Sequence, residues 1–109
     1  AVTRYWTRQA LDGAVLAEAM LETGRTHQVR VHFAERGHPL LGDAVYGAKK
    51  GDERWRACGR TLHRQALHAW VLAFDHPVLG ERLRFKAPMP PDMQAALAAL
   101  GGVLEDRWR

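Results

Sequence analysis

The chain has 109 residues, with 16 lysines and arginines against 12 acidic residues, 47% apolar residues and one cysteine. A chain of this length buries roughly two-thirds of its unfolded surface, which is enough for one core but not for two domains. Cys58 has no partner for an internal disulfide, and no apolar run approaches the roughly 20 residues that span a bilayer. Composition therefore disfavours secreted and membrane-spanning classes, and we expect one cytoplasmic domain or a piece of one.

The N-terminal residues predict a β-hairpin. Residues 2–9 alternate with a period of two, and Asp12-Gly13 is a favoured two-residue turn because both of its positions need positive φ. A second strand, from about Ala14 to Thr23, places four apolar side chains on one face: Val15, Ala17, Ala19 and Leu21. Because the sequence opens in the middle of a sheet, we expect a fragment whose other half lies upstream.

From residue 24 to residue 47 the periodicity is ambiguous. Val29, Val31 and Phe33 alternate as in a strand, whereas Thr26 is a possible helix N-cap and Gly37 a possible helix end. The following string, HPLLGDAVYG at residues 38–47, contains proline and glycine at turn spacing and predicts an ordered loop.

Residues 47–64 form a basic segment that contains six basic and two acidic residues. Its excess of positive charge equals the net charge of +4 of the whole chain. One interpretation is a solvated surface loop, and the other is a surface that contacts nucleic-acid phosphates. Thirteen of the sixteen basic residues of the chain are arginines, whose planar fork suits phosphate better than a lysine ammonium does. This composition favours a nucleic-acid partner.

The C-terminal part predicts two strands and a helix. Leu67 to Phe74 is apolar enough for a buried strand, and 75–80 reads as a turn. A half-buried strand with a basic outer face follows, formed by Arg82, Arg84 and Lys86. Asp92 then opens a helix with an apolar stripe of Met93, Ala96, Leu97 and Leu100, ending at Gly101-Gly102. The predicted fold class is α+β, with a mainly antiparallel mixed sheet and a few helices.

Common catalytic motifs are missing from the sequence. His27 and His32 are five residues apart, as are His63 and His68, which is the wrong spacing for a two-histidine metal face on a helix. Cys58 and His63 lie near each other but have no residue to orient them, which disfavours a thiol nucleophile. No phosphate-binding loop or dinucleotide fingerprint occurs. We therefore predict neither a metal site nor a cofactor.

The string GRTHQVR at residues 24–30 resembles the third motif of the RluA-type pseudouridine synthases, which modify uridines in large-subunit ribosomal RNA. The resemblance continues through RVHFAERGHPLLGDAVYG, resumes at RQALHAWVLAFDHPVLGERLRFKAPMPPDM, and covers the chain from Leu21 to Met93. It implies an RNA pseudouridine synthase that isomerises uridine without a cofactor, with RNA as its partner.

The resemblance also implies what this chain lacks. In the family, the nucleophile is an aspartate in an HRLD-type motif and a tyrosine of a later motif stacks on the base, and both precede the matching part. Neither string is present here. By this resemblance, residues 1–109 are the C-terminal part of a single pseudouridine synthase catalytic domain, inactive without the upstream part.

One catalytic residue carries over by resemblance. Arg30 matches the family arginine that forms an ion pair with the catalytic aspartate, and a guanidinium there keeps a carboxylate ionised and aimed. Val29 would pack near the uracil. The resemblance also places the motif where a strand passes into a helix, with Thr26 at the N-cap. The remaining candidates for contact with the substrate are Arg25, Thr26, His27 and Gln28. The candidates for contact with the RNA backbone are Lys49, Lys50, Arg54 and Arg56. We interpret Gly42 and Asp43 as scaffold residues.

Two alternatives remain open at this point. One is a non-catalytic RNA-binding module on the same scaffold, and the other is a metal-free ribonuclease built on histidine and arginine. For a fragment of a catalytic domain, we expect Arg30 to lie at an open cleft without a carboxylate partner from the missing motif. We also expect several of the apolar side chains Val2, Trp6, Val15, Val29 and Phe33 to be exposed, because the missing half would cover them. A compact chain with these apolar side chains covered and Arg30 paired to an internal Asp or Glu would instead indicate a self-sufficient domain.

Overall fold

The structure, a computed structural model, describes residues 2–21, 27–47, 51–75, 78 and 81–109. The elements in chain order are β1 (Thr3–Leu11), β2 (Ala14–Leu21), α1 (Gln28–Glu35), α2 (Glu53–Leu62), β3 (Val71–Asp75), β4 (Arg82–Lys86), α3 (Pro91–Ala99) and a 3-10 turn (Asp106–Trp108). The predicted α+β class with antiparallel strands is confirmed. Within the described ranges, the strands form two separate antiparallel pairs, β1 with β2 and β3 with β4, rather than one mixed sheet.

The N-terminal hairpin turns at Asp12-Gly13 as predicted, but of the two turn residues only Gly13, at φ 71°, has a positive φ. Its register is interrupted by a β-bulge, because Thr7 faces Ala17 whereas Gln9 faces Leu16. A bulge bends the strand and changes which face its later residues present. Leu11 and Leu16, beyond the bulge, pack against the core.

Other side chains near and in the hairpin are exposed, and three of the five apolar residues named above confirm the expectation that several of them are exposed. Val2, Trp6 and Val15 are 48%, 42% and 57% exposed. Val29 and Phe33 are not among the exposed residues, since Val29 is buried in the first turn of α1 and Phe33 is half-buried. Phe33 is covered because its ring meets the edge of the Tyr5 ring, with the centroids 5.2 Å apart.

The basic segment contains a helix, α2, so its interpretation as a loop is wrong. The Asp52 side chain caps the helix by accepting a hydrogen bond from the Trp55 backbone N–H at 2.9 Å. Trp55, Gly59 and Leu62 are buried on one face at intervals of four and three residues. The many charges between them lie on the outer face and hide this short periodicity in the sequence.

The strand predicted from Leu67 to Phe74 is also corrected, because β3 begins at Val71 and neither Leu67 nor Val71 is buried. The length of β3 is set by its partner, since its five residues pair one to one with the five residues of β4. The predicted basic outer face of β4 is confirmed by the exposure of Arg82, Arg84 and Lys86.

The core is small and lies between the hairpin, α3 and the C-terminus. Helix α3 buries Ala96, Leu97 and Leu100 as predicted, but Pro91 rather than Asp92 occupies its first position, where the missing N–H of proline costs nothing. The central cluster is Met89, Leu97 and Trp108, with Leu11, Leu16, Trp70, Met93 and Leu104 packed around it.

Long-range hydrogen bonds join the two ends of the chain over this core. The Gln9 side chain donates to the Val103 carbonyl at 2.6 Å and accepts from the Val103 N–H at 3.0 Å. The Asp12 N–H donates to the Leu100 carbonyl at 2.9 Å. The radius of gyration is 15.0 Å, against about 13 Å for a compact domain of this length. The molecule is therefore elongated around a thin core.

Gly42 joins the 38–47 loop to α2, and we predict that it cannot be replaced. Its φ is +76°, and a Cβ there would lie 2.0 Å from the Arg64 carbonyl oxygen. Gly42→Ala should lower the free energy of unfolding by more than about 2 kcal/mol, because a backbone clash adds to left-handed strain. Gly37→Ala is the matched control, since Gly37 has φ +80° with open space around it. Its cost should stay near 1 kcal/mol, and equal urea midpoints for the two variants would contradict the prediction.

Candidate active site around Arg30

The start of α1 is held against β1 by a buried glutamine. The Gln28 side-chain amide donates to the Val2 carbonyl and to the Thr3 hydroxyl, both at 3.1 Å. The N-cap position belongs to His27, which adopts the left-handed region with φ 60° and caps no backbone group with its side chain. Thr26, the predicted N-cap, lies outside the described residues. The first helical turn, with Gln28, Val29 and Arg30, is the buried part of α1.

Arg30 makes a bidentate ion pair with Asp43 of the 38–47 loop. Its Nε donates to Oδ2 at 2.8 Å and its Nη2 donates to Oδ1 at 2.7 Å. The side chains are 11% and 0% exposed, respectively. The expected open cleft is wrong, because Arg30 is buried and pairs with an internal carboxylate. The 38–47 loop, which the sequence assigns to the scaffold, brings this acidic side chain back to the first turn of α1.

Both carboxylate oxygens of Asp43 accept hydrogen bonds although the side chain is buried. Its Oδ1 also accepts the backbone N–H groups of Val45 and Tyr46, each at 3.1 Å, which forms an Asx turn. The hydrogen bonds from Arg30 lower the pKa of Asp43 against the opposing effect of burial, and the two backbone donors lower it further. The same pairing raises the pKa of Arg30. The site thus holds an ionised pair in which four donors compensate one buried carboxylate.

Tyr46 and His27 complete the surroundings of Arg30. The centre of the Arg30 guanidinium lies 5.1 Å from the centroid of the Tyr46 ring, a cation–π distance. The His27 ring meets the Tyr46 ring edge to face, with centroids 6.2 Å apart. His27 is exposed and Tyr46 is half-buried. An aromatic side chain and an exposed imidazole therefore lie at the surface beside the buried arginine.

The structure brings together some of the predicted site residues and not others. His27, Gln28, Val29 and Arg30 lie side by side at the start of α1, while Arg25 and Thr26 lie outside the described residues. Asp43 and Tyr46 are site residues that the sequence reasoning missed. The spacing of an Asx turn is visible in the sequence, but the long-range pairing with Arg30 is not.

The four candidate RNA-backbone residues do not behave as one set. Lys49 and Lys50 lie outside the described residues. Arg54 donates to the Asp12 carboxylate at 2.7 Å and to the Ala99 carbonyl at 2.6 Å, so it ties α2 to the hairpin turn and the end of α3. Arg56 lines a surface depression of about 480 Å³ next to Asp43, which is also lined by Arg60 and His63.

Other chemistries find little support in the described part of the chain. Cys58 points from α2 towards the Ala96 carbonyl of α3, with Sγ and the oxygen 3.8 Å apart, and burial raises the pKa of its thiol. No three potential metal ligands gather among the described side chains. None of the described helices is long and apolar enough to cross a membrane.

Comparison with known proteins gives close sequence relatives. The chain is 51% identical over 94 residues to "Ribosomal large subunit pseudouridine synthase D" of Zymomonas mobilis, covering 86% of this chain and 30% of that protein. It is 45% identical over 98 residues to the protein of the same name in Nitrosomonas europaea, covering 90% and 28%. A Mycobacterium tuberculosis protein named "Uncharacterized RNA pseudouridine synthase MT1592" is 48% identical over 101 residues, covering 93% and 32%. No family model matches the sequence. The chain spans about a third of the length of these relatives.

Proposed function

Because the chain belongs to the RluA-type pseudouridine synthase family, we propose that it is part of an RNA uridine isomerase. The proposed reaction converts uridine to pseudouridine in large-subunit ribosomal RNA, as the names of its relatives indicate for those proteins. The enzyme works in the cytoplasm with RNA as its partner, and it uses neither a metal nor a nucleotide cofactor.

The proposed chemistry is an internal transfer of the uracil base. An aspartate engages the uridine, the bond between C1′ of the ribose and N1 of the base breaks, and a bond from C1′ to C5 forms. The proton on C5 is removed and N1 gains one, so the atoms balance without a second substrate. The target uridine must leave the helical stack to reach the aspartate. That aspartate belongs to the upstream part of the domain, outside residues 1–109.

The observation that carries the proposal is the placement of Arg30. The guanidinium belongs to the motif of the resemblance, lies on a fixed helical turn, and uses only two of its five N–H donors on Asp43. The remaining donors can bind a second carboxylate, which is the role that the resemblance gives to this arginine. Val29, next to it, supplies an apolar contact for the base, with His27 and Gln28 at the same helix end.

We further propose that residues 1–109 are the C-terminal part of one catalytic domain. The exposed apolar side chains of the hairpin support this, because Val2, Trp6 and Val15 would be covered by the other part. The small size of the sheets supports it too, since each sheet has two strands among the described residues and the outer edges of such a sheet can accept a further strand.

The second candidate is a non-catalytic RNA-binding module on the same scaffold. It is favoured by the pairing of Arg30 with Asp43, which is complete within the chain and needs no upstream carboxylate. The two candidates differ in whether uridine is converted, so the same assay separates them.

The first prediction concerns activity. The full-length gene product that contains this chain should form pseudouridine in large-subunit ribosomal RNA without added metal or nucleotide, measured by mass spectrometry of the digested RNA. The isolated 109-residue chain should form none, because it lacks the nucleophile. Binding of RNA without turnover by the full-length product would favour the module.

The second prediction concerns Arg30 in the full-length product. Arg30→Ala should lower the turnover number by roughly 30- to 1000-fold, because it removes a charge-assisted, partly buried contact. Arg30→Lys should recover only part, since an ammonium cannot reproduce the bidentate fork. RNA affinity, measured by filter binding, should change much less. Near-normal turnover of Arg30→Ala would make the assignment wrong.

The third prediction concerns the RNA backbone. Neutralising Lys49, Lys50 and Arg56 together should reduce the slope of log affinity against log salt by about 2 units, at roughly 0.7 per phosphate of single-stranded RNA. Adding Arg54→Gln should leave that slope unchanged and lower the stability instead, because Arg54 is engaged within the chain. An unchanged slope in the triple variant would indicate that these residues lie on a solvated surface and do not contact RNA phosphates.

A further inference from the structure

We propose that Asp43 is a positioning residue that holds Arg30 by one edge of its guanidinium and sets the charge that Arg30 presents to the catalytic aspartate. This inference rests on the proposed function and deepens it. Asp43 would touch neither the RNA nor the reacting atoms, and it would act only through Arg30.

The geometry defines which edge of Arg30 is occupied. Asp43 takes the edge formed by Nε and Nη2, with hydrogen bonds of 2.8 and 2.7 Å, and the Tyr46 ring covers the guanidinium at 5.1 Å. Nη1 donates to no described group, so both of its N–H bonds and one of Nη2 remain available. Because one edge of the guanidinium is held by Asp43, the group can move little. Its free N–H donors therefore point to a single position.

The position of Asp43 is fixed from two directions. The Asx turn to Val45 and Tyr46 holds its carboxylate from the loop. Gly42, directly before it, is packed against Gly59 of α2 so closely that a Cβ on Gly59 would lie 2.9 Å from the Gly42 nitrogen. Since the Asp43 side chain is 0% exposed, water does not compete for Arg30 on that side. This is the arrangement expected of a residue that orients another one.

The electrostatic consequence is that Arg30 is already paired before the catalytic aspartate approaches. A free arginine would lower the pKa of that carboxylate strongly and hold it as a tight ion pair, whereas the charge of Asp43 offsets part of this effect. The carboxylate would stay ionised but remain available to react. Other titratable groups around the pair are the same in every variant below: His27 and Tyr46 on one side, and Arg56, Arg60 and His63 on the side of α2.

The test uses Asp43→Asn in the full-length gene product. The asparagine oxygen can keep the bonds of Oδ1 to Val45, Tyr46 and Nη2, so the turn is preserved, while the bond from Nε and the negative charge are lost. We expect kcat to fall by about tenfold or more, with KM for the RNA nearly unchanged. We also expect the acid limb of the pH profile of kcat to move to lower pH, because one nearby negative charge has been removed.

Asp92→Asn is the matched control. Asp92 forms a bidentate pair with Arg64, with Nε to Oδ2 at 2.8 Å and Nη2 to Oδ1 at 2.9 Å. This second pair has the same chemistry but is partly exposed and lies outside the site. Asp92→Asn should leave kcat and the pH profile unchanged.

The outcomes separate the inference from the proposed function. A wild-type product that forms no pseudouridine refutes the proposed function, whatever the variants do. An active wild type with a folded Asp43→Asn variant that keeps its kcat, or loses it without a shift of the acid limb, overturns the inference. If Asp43→Asn does not fold, Asp43→Ser replaces it, because a serine hydroxyl can still form the turn without the charge. The same shift of the acid limb is then required.

Discussion

The ion pair between Arg30 and Asp43 is the interaction on which the organisation of the candidate site depends. It joins the first turn of α1 to a loop that has little regular structure, and that loop in turn rests on α2 through Gly42 and Gly59. A buried ion pair is weak support for stability unless its remaining lone pairs are satisfied. Here the backbone of the loop satisfies them, so folding of the loop and placement of the arginine are one event.

Polar side chains attach the two helices beside this ion pair to the two ends of the hairpin. Gln28 attaches the start of α1 to β1, and Arg54 attaches the start of α2 to the hairpin turn and to the end of α3. The small apolar cluster around Leu97 and Trp108 packs against Leu11 and Leu16 of the hairpin. These polar contacts therefore connect α1 and α2 to the hairpin, whose Leu11 and Leu16 pack against the core.

Local patterns in the sequence were sufficient for the hairpin turn, the loop and α3. Asp12-Gly13 and the stripe of Ala96, Leu97 and Leu100 are short-range signals, and the structure confirms them. Helix α2 was missed because its buried face consists of Trp55, Gly59 and Leu62 among charged neighbours, and glycine carries no hydrophobic signal. The partner of Arg30 was missed because the sequence shows which residues have opposite charges but does not show which of them the fold brings into contact. The family resemblance located Arg30 but treated Asp43 as scaffold, and only the fold relates the two.

The contacts between Gln9 and Val103 have a consequence for synthesis of the chain. Gln9 is synthesised before Val103, its hydrogen-bond partner, which lies 94 residues later in the chain. Contacts between residues so distant in sequence form slowly, because the entropy of closing the loop must be overcome first. Until then the hairpin lacks both these hydrogen bonds and the cluster of Met89, Leu97 and Trp108 against which Leu11 and Leu16 pack.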